Sequence, residues 1–315
     1  MDLADRLVVI FGGGGFLGRY VAEALLSRGA RVRVAERNPK NALFIKPLGN
    51  LGQTQFAFAD ITKPQTVARA LHGADAVVNL VGIFGRGMAA VNGEGAGNIA
   101  RAAHDAGVHS LVHVSAIGAD PNSPSDYGRS KAAGEKAVLN AFPNATILRP
   151  SIVFGQEDAF VNRFAGLIAA LPIVPIIGGA TKFQPVFVGD VAQSIAFAVA
   201  DPEHFGGSTF ELGGPDVISM AELNRQIAAW TGRKPFFIDV PDFAAKAMAI
   251  TTGPLPGAPI THDQFKMLQR DNVVSAGAAG LAELGVHPTP MAAVVPRWLD
   301  RFRLHGRFGA RAKAE

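Results

Sequence analysis

Three glycines spaced three residues apart follow the first apolar run of the chain, and they constrain its fold more than any other feature. The run Leu7–Phe11 is apolar throughout and predicts a buried strand, with Gly12, Gly15 and Gly18 directly after it. Between a strand and a helix, the first glycine permits a tight turn, the second admits a diphosphate to the backbone, and the third allows close packing. The N–H groups that open such a helix bind the anion. The segment therefore predicts a dinucleotide-binding loop.

The first 150 residues alternate short apolar runs with amphipathic stretches. Strands are predicted at 7–11, 31–36, 55–59, 76–81, 111–115 and 146–149, and helices at about 21–29, 64–71, 91–106 and 126–141. Because strands alternating with helices form parallel sheets with right-handed crossovers, the pattern predicts an α/β fold, a Rossmann-type doubly wound parallel sheet. A smaller C-terminal lobe is expected beside it. We assign residues 1–200 to the NAD(P)-binding domain, with part of 151–180 on the substrate side, and 201–315 to a substrate or docking lobe.

Beyond residue 150 the pattern loosens. It predicts a helix at 160–170, a strand at 185–188 and a helix at 191–200. Ser219 and Glu222 form a capping-box pattern that opens a helix to about Trp230. Residues 251–260, rich in Pro and Gly, are expected to be irregular. A last helix is predicted at 290–303, kinked by Pro296.

Composition narrows the class of protein. Hydrophobic residues make up 48% of the chain and charged residues 18%, so a packed core is expected, not disorder. The absence of cysteine excludes disulfides, thiolate zinc sites and cysteine nucleophiles, and no metal site is predicted. The N-terminus lacks the pattern of a signal peptide, and no apolar run reaches the ~18 residues of a membrane span. We therefore expect a cytoplasmic protein without a nucleic-acid partner.

The C-terminal end is basic, because the last fifteen residues contain five Arg and Lys residues and a single acid, Glu315. These basic residues are Arg301, Arg303, Arg307, Arg311 and Lys313. In the predicted last helix, arginines alternate with apolar residues that include Trp298 and Leu299. Such a helix can rest on an anionic membrane surface or a membrane complex, which predicts peripheral attachment at the inner face of the membrane. The alternative is that its apolar side packs on the core of the protein itself.

The end of the second predicted strand carries two opposite signals for the cofactor. Glu36 lies eighteen positions after Gly18, near the ~20 expected for the acid that binds a ribose hydroxyl, and favours NAD(H). Arg37 follows it, and a guanidinium there can clamp a 2′-phosphate, which favours NADP(H). Asp60, after the third strand, is placed either to reach the adenine edge or to serve as a plain loop acid. We favour NADP(H) and leave NAD(H) as the alternative.

Catalytic candidates follow the fifth predicted strand. Ser115 ends that strand, and Tyr127 and Lys131 share one face of the next helix at a spacing of four. The lysine charge is expected to lower the pKa of the tyrosine, which can then exchange a proton with a carbonyl or alcohol while a nicotinamide exchanges hydride. A serine hydroxyl can polarise the same carbonyl. The alternative partner for Lys131 is Glu135, one turn further along.

These segments together resemble the short-chain dehydrogenase/reductase superfamily, in its extended or atypical branch. The matching segments are FGGGGFLGR (11–19), FADITKP (58–64), NLVG (79–82), VNGEGAGNIARAA (91–103), HVSAIGA (113–119), YGRSKAAGEKAV (127–138) and LRPSIVFG (148–155). Within it, the chain is most similar to the nucleotide-binding accessory subunits of respiratory complex I, over most of residues 7–200. The resemblance implies a tightly held NADP(H) with a structural role, and docking beside a membrane. The alternatives are a free-standing oxidoreductase or epimerase acting on a hydrophobic carbonyl or hydroxyl compound, quinone-biosynthetic or steroid-like, and a nucleotide-sensing regulator.

The predicted site combines the residues above with those at the carboxyl ends of the strands. The predicted catalytic residues are Ser115, Tyr127 and Lys131. The predicted cofactor contacts are Gly12, Gly14, Gly15, Phe16, Leu17, Gly18, Glu36, Arg37, Asp60, Ile61, Leu80, Val81, Gly82, Lys131, Pro150 and Val153.

Overall fold

A computed structural model describes residues 1–253, 255, 258–304 and 306. The strands are β1 (Leu7–Phe11), β2 (Arg31–Glu36), β3 (Thr54–Phe58), β4 (Ala76–Asn79), β5 (Ser110–Val114), β6 (Thr146–Pro150), β7 (Val153–Phe154), β8 (Ile173–Ile177), β9 (Lys182–Phe183), β10 (Val186–Phe187), β11 (Thr209–Leu212), β12 (Ile218–Ser219) and β13 (Phe236–Val240). The helices are α1 (Phe16–Leu26), α2 (Pro64–Ala70), α3 (Ala96–Asp105), α4 (Asp126–Ala141), α5 (Phe160–Ala170), α6 (Val188–Ala200), α7 (Pro202–Phe205), α8 (Met220–Thr231), α9 (Asp242–Thr251), α10 (His262–Leu268) and α11 (Met291–Val294). A π-helical turn covers Ala89–Gly95, and 3₁₀ turns cover Pro39–Leu48, Val295–Arg297 and Leu299–Phe302.

The chain divides into two compact units. The first unit consists of Met1–Pro150, Val188–Leu212 and Val274–His287. The second unit consists of Ser151–Phe187, Gly213–Val273 and Pro288–Glu315. The chain therefore passes between the units several times; the sequence suggested a boundary near residue 200, with part of 151–180 already on the substrate side.

A seven-stranded parallel sheet forms the centre of the first unit, in the order β11-β6-β5-β4-β1-β2-β3. Helices α2, α3 and α4 pack on one another beside an apolar cluster of this sheet, while α1 and α6 pack together. Every residue of β1 is buried, as expected for a strand covered on both faces. The predicted Rossmann-type doubly wound fold is confirmed. From β1 the sheet grows toward one edge through β2 and β3, and from β4 it grows toward the other edge through β5 and β6, so the strand order reverses between β1 and β4.

Edge strand β11 was not predicted from the sequence. It pairs in parallel with β6, and Phe210 and Leu212 point into buried positions. Its four residues are too few for periodicity to separate a strand from a loop. The segment Val274–His287 joins the first unit here, because the main-chain N–H of Glu211 donates to the carbonyl oxygen of Ala279 at 2.8 Å.

The second unit has three two-stranded sheets, β7 with β10, β9 with β12 and β8 with β13. Its largest apolar cluster joins α5 and α8 to the segment that follows Pro290. The predicted cap of α8 is present, since Ser219 Oγ accepts a hydrogen bond from the N–H of Glu222 at 3.1 Å. Within the described ranges, no helix is both long enough and apolar enough to cross a bilayer.

The predicted last helix is wrong as a single helix. Residues 291–302 form α11 and two 3₁₀ turns, with Pro296 at the first break. Val295 and Leu299 are fully buried in the core of the second unit, so the apolar side packs on the protein itself. The membrane-resting helix is therefore not formed, because its apolar side chains are already covered. Arg307, Arg311 and Lys313 lie outside the described residues.

Candidate functional site

The glycine loop lies between β1 and α1, as predicted. Gly12 has a φ of 80°, a conformation that favours glycine, and a Cβ there would lie 3.2 Å from the backbone nitrogen of Val81. At Gly18 a Cβ would lie only 2.2 Å from the carbonyl oxygen of Gly13. These two glycines are therefore required by the close approach of the loop, β4 and α1.

Gly15 is different, because the protein itself leaves room for a side chain there. A Cβ at Gly15 would meet only the carbonyl oxygen of Gly12, at 3.4 Å, and the residue is exposed. Gly15 is also the N-cap of α1, with no side-chain cap and no acidic residue in the first turn. The first N–H groups of a helix lack partners inside it, so those of Phe16 and Leu17 suit an anion. The loop residues fit a dinucleotide diphosphate.

Glu36 and Arg37 flank this loop at the end of β2. The carboxylate Oε1 of Glu36 accepts a 2.7 Å hydrogen bond from the main-chain N–H of Gly14. Arg37 is exposed. The acid is therefore tied to the loop, whereas the guanidinium extends into solvent beside it. Both predicted determinants of cofactor choice lie at the loop, and the preference between NAD(H) and NADP(H) stays a prediction.

Asp60 shapes the turn before α2. One carboxylate oxygen accepts hydrogen bonds from the N–H and the hydroxyl of Thr62, at 3.1 and 2.7 Å, and these bonds lower the pKa of Asp60. Ile61 is buried in the apolar core of the first unit, and its carbonyl oxygen accepts from the side chain of Asn98 at 2.8 Å. Both residues thus have structural partners, and their contacts with a cofactor stay predictions.

The three catalytic candidates belong to β5 and α4. Ser115 follows β5, and its buried Oγ has no hydrogen-bond partner among the described residues. Tyr127 and Lys131 lie one turn apart on α4. The Nζ of Lys131 donates a 2.8 Å hydrogen bond to the carbonyl oxygen of Val114, the residue before Ser115. The structure therefore brings Lys131 to the end of β5, where the sequence predicted a site.

Burial dominates the electrostatics of this group. It lowers the pKa of Lys131 to about 8, while the charge of Glu135 acts in the opposite direction. It also raises the pKa of Tyr127 to about 12, so the expectation that Lys131 lowers this pKa is wrong. Burial of the phenol is the cause of this rise, and Lys131 does not offset it. Glu135 binds Arg149 through two contacts of 2.9 and 2.6 Å, not Lys131.

Asn79 and His113, which lie near the site, are not among the residues predicted from the sequence. Asn79 Oδ1 accepts the N–H of Val81 at 3.0 Å, so its Nδ2 faces His113 Nδ1, also at 3.0 Å. Burial lowers the pKa of His113 well below its usual range, and the charge of Lys131 lowers it further. His113 is therefore neutral, accepts at Nδ1 and carries its proton on Nε2. This pair holds the backbone at the end of β4, beside the glycine loop.

Asn92, in the π-helical turn, was also missed. Its side chain accepts from the N–H of Ile83 at 2.9 Å and donates to the carbonyl oxygen of Ile83 at 3.0 Å. Its Nδ2 also contacts Ser130 Oγ on α4 at 3.0 Å. Phe84, which follows Ile83 in the chain, stacks on Tyr127 with ring centroids 4.2 Å apart and ring planes inclined by 16°. Local spacing gives no signal for the contacts with Ser130 and Tyr127, because each joins distant parts of the chain.

The remaining predicted cofactor contacts lie after β4, at the end of β6 and on β7. The N–H of Leu80 donates to the carbonyl oxygen of Phe11 at 2.9 Å, and a Cβ on Gly82 would lie 3.7 Å from Lys131 Nζ. Pro150 ends β6 in the first unit, whereas Val153 belongs to β7 of the second unit. Gly82 thus lies beside the catalytic candidates.

Comparisons with known proteins agree on the class of this site. The model of the NAD dependent epimerase/dehydratase family matches residues 8–213. The matched range contains the glycine loop, Ser115, Tyr127 and Lys131. The match therefore covers every residue predicted for the site.

Individual relatives extend the likeness beyond that range. The mitochondrial NADH dehydrogenase (ubiquinone) 1 alpha subcomplex subunit 9 of Arabidopsis thaliana is 34% identical, over 97% of this chain and 80% of the relative. Ceramide reductase of Caulobacter vibrioides is 30% identical, over 76% of this chain and 75% of the relative. The structure of Citrobacter sp. triphenylmethane reductase with NADP(H) matches with a TM-score of 0.73, at 18% identity, over 92% of this chain and 99% of that chain. At that identity the structural match shows the fold alone.

Proposed function

The chain belongs to the NAD dependent epimerase/dehydratase family, and from this premise we propose that it binds NADP(H) as an accessory subunit of a respiratory NADH:ubiquinone oxidoreductase. The observation that carries this proposal is the extent of the similarity to the plant subunit, which includes 97% of the chain and therefore both units. Ceramide reductase matches at 30% identity over a smaller share, 76% of the chain, and the Citrobacter reductase covers 92% of it at only 18% identity. The bound dinucleotide then serves mainly to hold the fold.

The residues of the first unit suit this cofactor. The diphosphate would lie on the N-terminus of α1 beside Gly15, where a side chain is absent. The exposed Arg37 guanidinium would bind the 2′-phosphate through charge-assisted hydrogen bonds. Glu36 is drawn toward Gly14, so it can remain beside the loop while Arg37 makes that contact. The Citrobacter reductase, which shares the fold, has NADP(H) bound in its structure.

A structural cofactor is expected to stabilise the first unit by linking separate segments. Its predicted contacts come from the glycine loop, the end of β2 and Lys131 on α4, which are far apart in sequence. A ligand that binds only the folded chain raises stability by RT ln(1 + [L]/Kd), about 2.7 kcal/mol at a hundredfold excess over Kd. Tight binding would therefore add appreciably to a marginally stable fold.

Native purification from the source organism tests the proposal. Membranes are prepared at low salt, extracted with mild detergent, and fractionated by size. The expected result is that the chain migrates with a respiratory complex and that denaturation releases NADP(H) in a one-to-one ratio. A chain that is recovered free, with no co-migrating membrane protein, would overturn the subunit assignment. Analysis of the Gly15→Val chain in parallel shows whether the released nucleotide comes from this loop.

A second function is favoured by the intact Ser115, Tyr127 and Lys131. Ser115 Oγ is buried and makes no hydrogen bond to a described residue, so it is able to donate to a carbonyl oxygen. Tyr127, protonated at neutral pH, would supply the proton, and Lys131 would orient the cofactor ribose. The nicotinamide supplies the hydride. The chain would then be a reductase for a hydrophobic carbonyl compound; a ceramide reductase is among its relatives.

A further inference from the structure

Phe84 covers one face of Tyr127 although most of its own side chain is exposed. The two rings are stacked at 4.2 Å, and Phe84 is 60% exposed. We propose that Phe84 is a gating residue: its ring lies on Tyr127 in the resting protein, and a ligand reaches the phenol only after Phe84 has moved aside. This inference rests on the placement of Tyr127 in the proposed site.

The loop that carries Phe84 is anchored at both ends. Asn92 binds both main-chain groups of Ile83, immediately before Phe84. The π-helical turn begins at Ala89, and the N–H of Val91 donates to the carbonyl oxygen of Gly87 at 3.0 Å. Ile83 is therefore held in place. For the Phe84 ring to move, the backbone after Phe84 changes conformation, while the hydrogen bonds between Ile83 and Asn92 are kept.

The intervening backbone is built for such a change. Gly85 and Gly87 both have a φ of 86°, in the region that favours glycine. A Cβ on Gly85 would meet nothing within 4 Å, so packing does not require glycine there. Glycine has access to conformations on both sides of φ = 0°, which gives the loop alternatives that other residues lack. The two glycines thus permit the chain after Phe84 to turn.

The covering ring contributes to the burial of the phenol. Burial raises the pKa of Tyr127 to about 12, even with Lys131 one turn away. Because Phe84 itself is largely exposed, moving it away sacrifices little buried apolar area, while Tyr127, which is already partly exposed, becomes accessible on the face that Phe84 covers. The gate would keep Tyr127 out of reaction with solvent and small carbonyl compounds, which is compatible with a cofactor that is held without turnover.

The test uses the small number of phenols in the chain. The only tyrosines are Tyr20 and Tyr127, so in a Tyr20→Phe background Tyr127 is the single phenol. Into this background Phe84→Ala is introduced, and Phe58→Ala serves as a control that truncates another half-exposed phenylalanine, on β3. Acetylation of Tyr127 by N-acetylimidazole is followed by mass spectrometry, and its phenolate is measured by absorbance near pH 10.

We expect Phe84→Ala to raise both the acetylation rate and the phenolate fraction about tenfold, equivalent to a fall of about one unit in the pKa of Tyr127. Phe58→Ala should change neither. Equal values for Phe84→Ala and its parent, with circular dichroism unchanged, would overturn the gate. If Phe84→Ala proves unstable, Phe84→Leu is measured, and an unchanged acetylation rate there overturns it equally. NADPH titration of the same variants reports separately on the proposed function, because nucleotide binding can fail while Tyr127 still responds to Phe84.

Discussion

The main-chain N–H of Gly14 and the carboxylate of Glu36 form a 2.7 Å hydrogen bond that ties the end of β2 to the glycine loop. A Cβ on Gly14 would lie 3.0 Å from the same carboxylate oxygen, so a side chain at this position would press on the carboxylate and shift it. The acid is therefore part of the loop architecture as well as a candidate ribose ligand. Its charge lies where a cofactor phosphate or ribose would approach, which makes the cofactor preference measurable by substitution.

We expect NADPH to bind more tightly than NADH, by about tenfold, because a charge-assisted hydrogen bond is worth about 1.5–3 kcal/mol. Arg37→Ala should erase this margin, whereas Arg69→Ala, which removes another exposed arginine, should leave it unchanged. Glu36→Gln keeps an oxygen for Gly14 and removes the charge, so it should strengthen NADPH binding. Calorimetric titration with both nucleotides measures the three variants. A wild type that prefers NADH would show that Glu36 controls the site.

Gly15→Val should abolish nucleotide binding and leave the chain folded. The protein offers room for a Cβ at Gly15, where the φ of −83° is open to any residue, but a side chain there would occupy the diphosphate position. Gly18→Ala is the contrasting variant, since its Cβ would lie 2.2 Å from a carbonyl oxygen and should destabilise the fold. Thermal unfolding and calorimetry together separate the two effects. Unchanged affinity in Gly15→Val would remove the loop from the cofactor site.

Tyr127→Phe distinguishes a working reductase from a structural cofactor site. If the protein catalyses a reduction, loss of the Tyr127 hydroxyl should remove activity and keep NADPH affinity, because only the transferable proton is lost. Rates with soluble quinones and steroid carbonyl compounds are compared between wild type and variant. Activity that persists in Tyr127→Phe would exclude the phenol from the mechanism, and no activity in either chain is the expected result for a structural cofactor.

The buried Lys131 predicts a stability that depends on pH. Its folded pKa is about 8 and its unfolded pKa about 10.5, so below pH 8 both states are protonated and the cost of the buried charge is fully present. Between pH 8 and 10.5 the unfolded chain holds more protons, and the contribution of Lys131 to stability rises, by roughly 3 kcal/mol in total. Tyr127, with a folded pKa of about 12, acts in the opposite direction above pH 10. Denaturant unfolding from pH 7 to 10 should show a steeper rise for wild type than for Lys131→Met; parallel curves would contradict the assignment.

Arg149 is expected to be essential for the first unit. It joins Glu135 on α4, at 2.6 Å, to Glu211 on β11, at 3.6 Å, and both carboxylates are largely buried. Arg149→Met leaves two buried negative charges without their partner, which should cost about 3–5 kcal/mol in free energy of unfolding. Restoring neutrality with Glu135→Gln in the same chain should recover part of the loss. Additive losses in the double variant would show that the charges do not act together.

The sequence alone determined six of the seven strands of the sheet in the first unit and the position of its glycine loop. Both follow from local rules: buried parallel strands read as apolar runs, and the spacing of Gly12, Gly15 and Gly18 reflects backbone approach at one turn. The pairing of Tyr127 with Lys131 on one helix face is local as well, because four residues span about one turn. These predictions needed no knowledge of distant contacts.

Only the tertiary structure decided the surroundings of those residues. Asn79 on His113, Asn92 on Ser130 and Phe84 on Tyr127 are contacts between segments that no spacing brings together. The pKa of Tyr127 differs from the expectation for the same reason, since the burial that raises it is a property of the packed fold. The last segment was expected to be one amphipathic helix, yet Val295 and Leu299 pack into the core of the second unit. An apolar stripe in the sequence indicates that its side chains will be buried. Only the tertiary structure decides which surface buries them, here the core of the second unit.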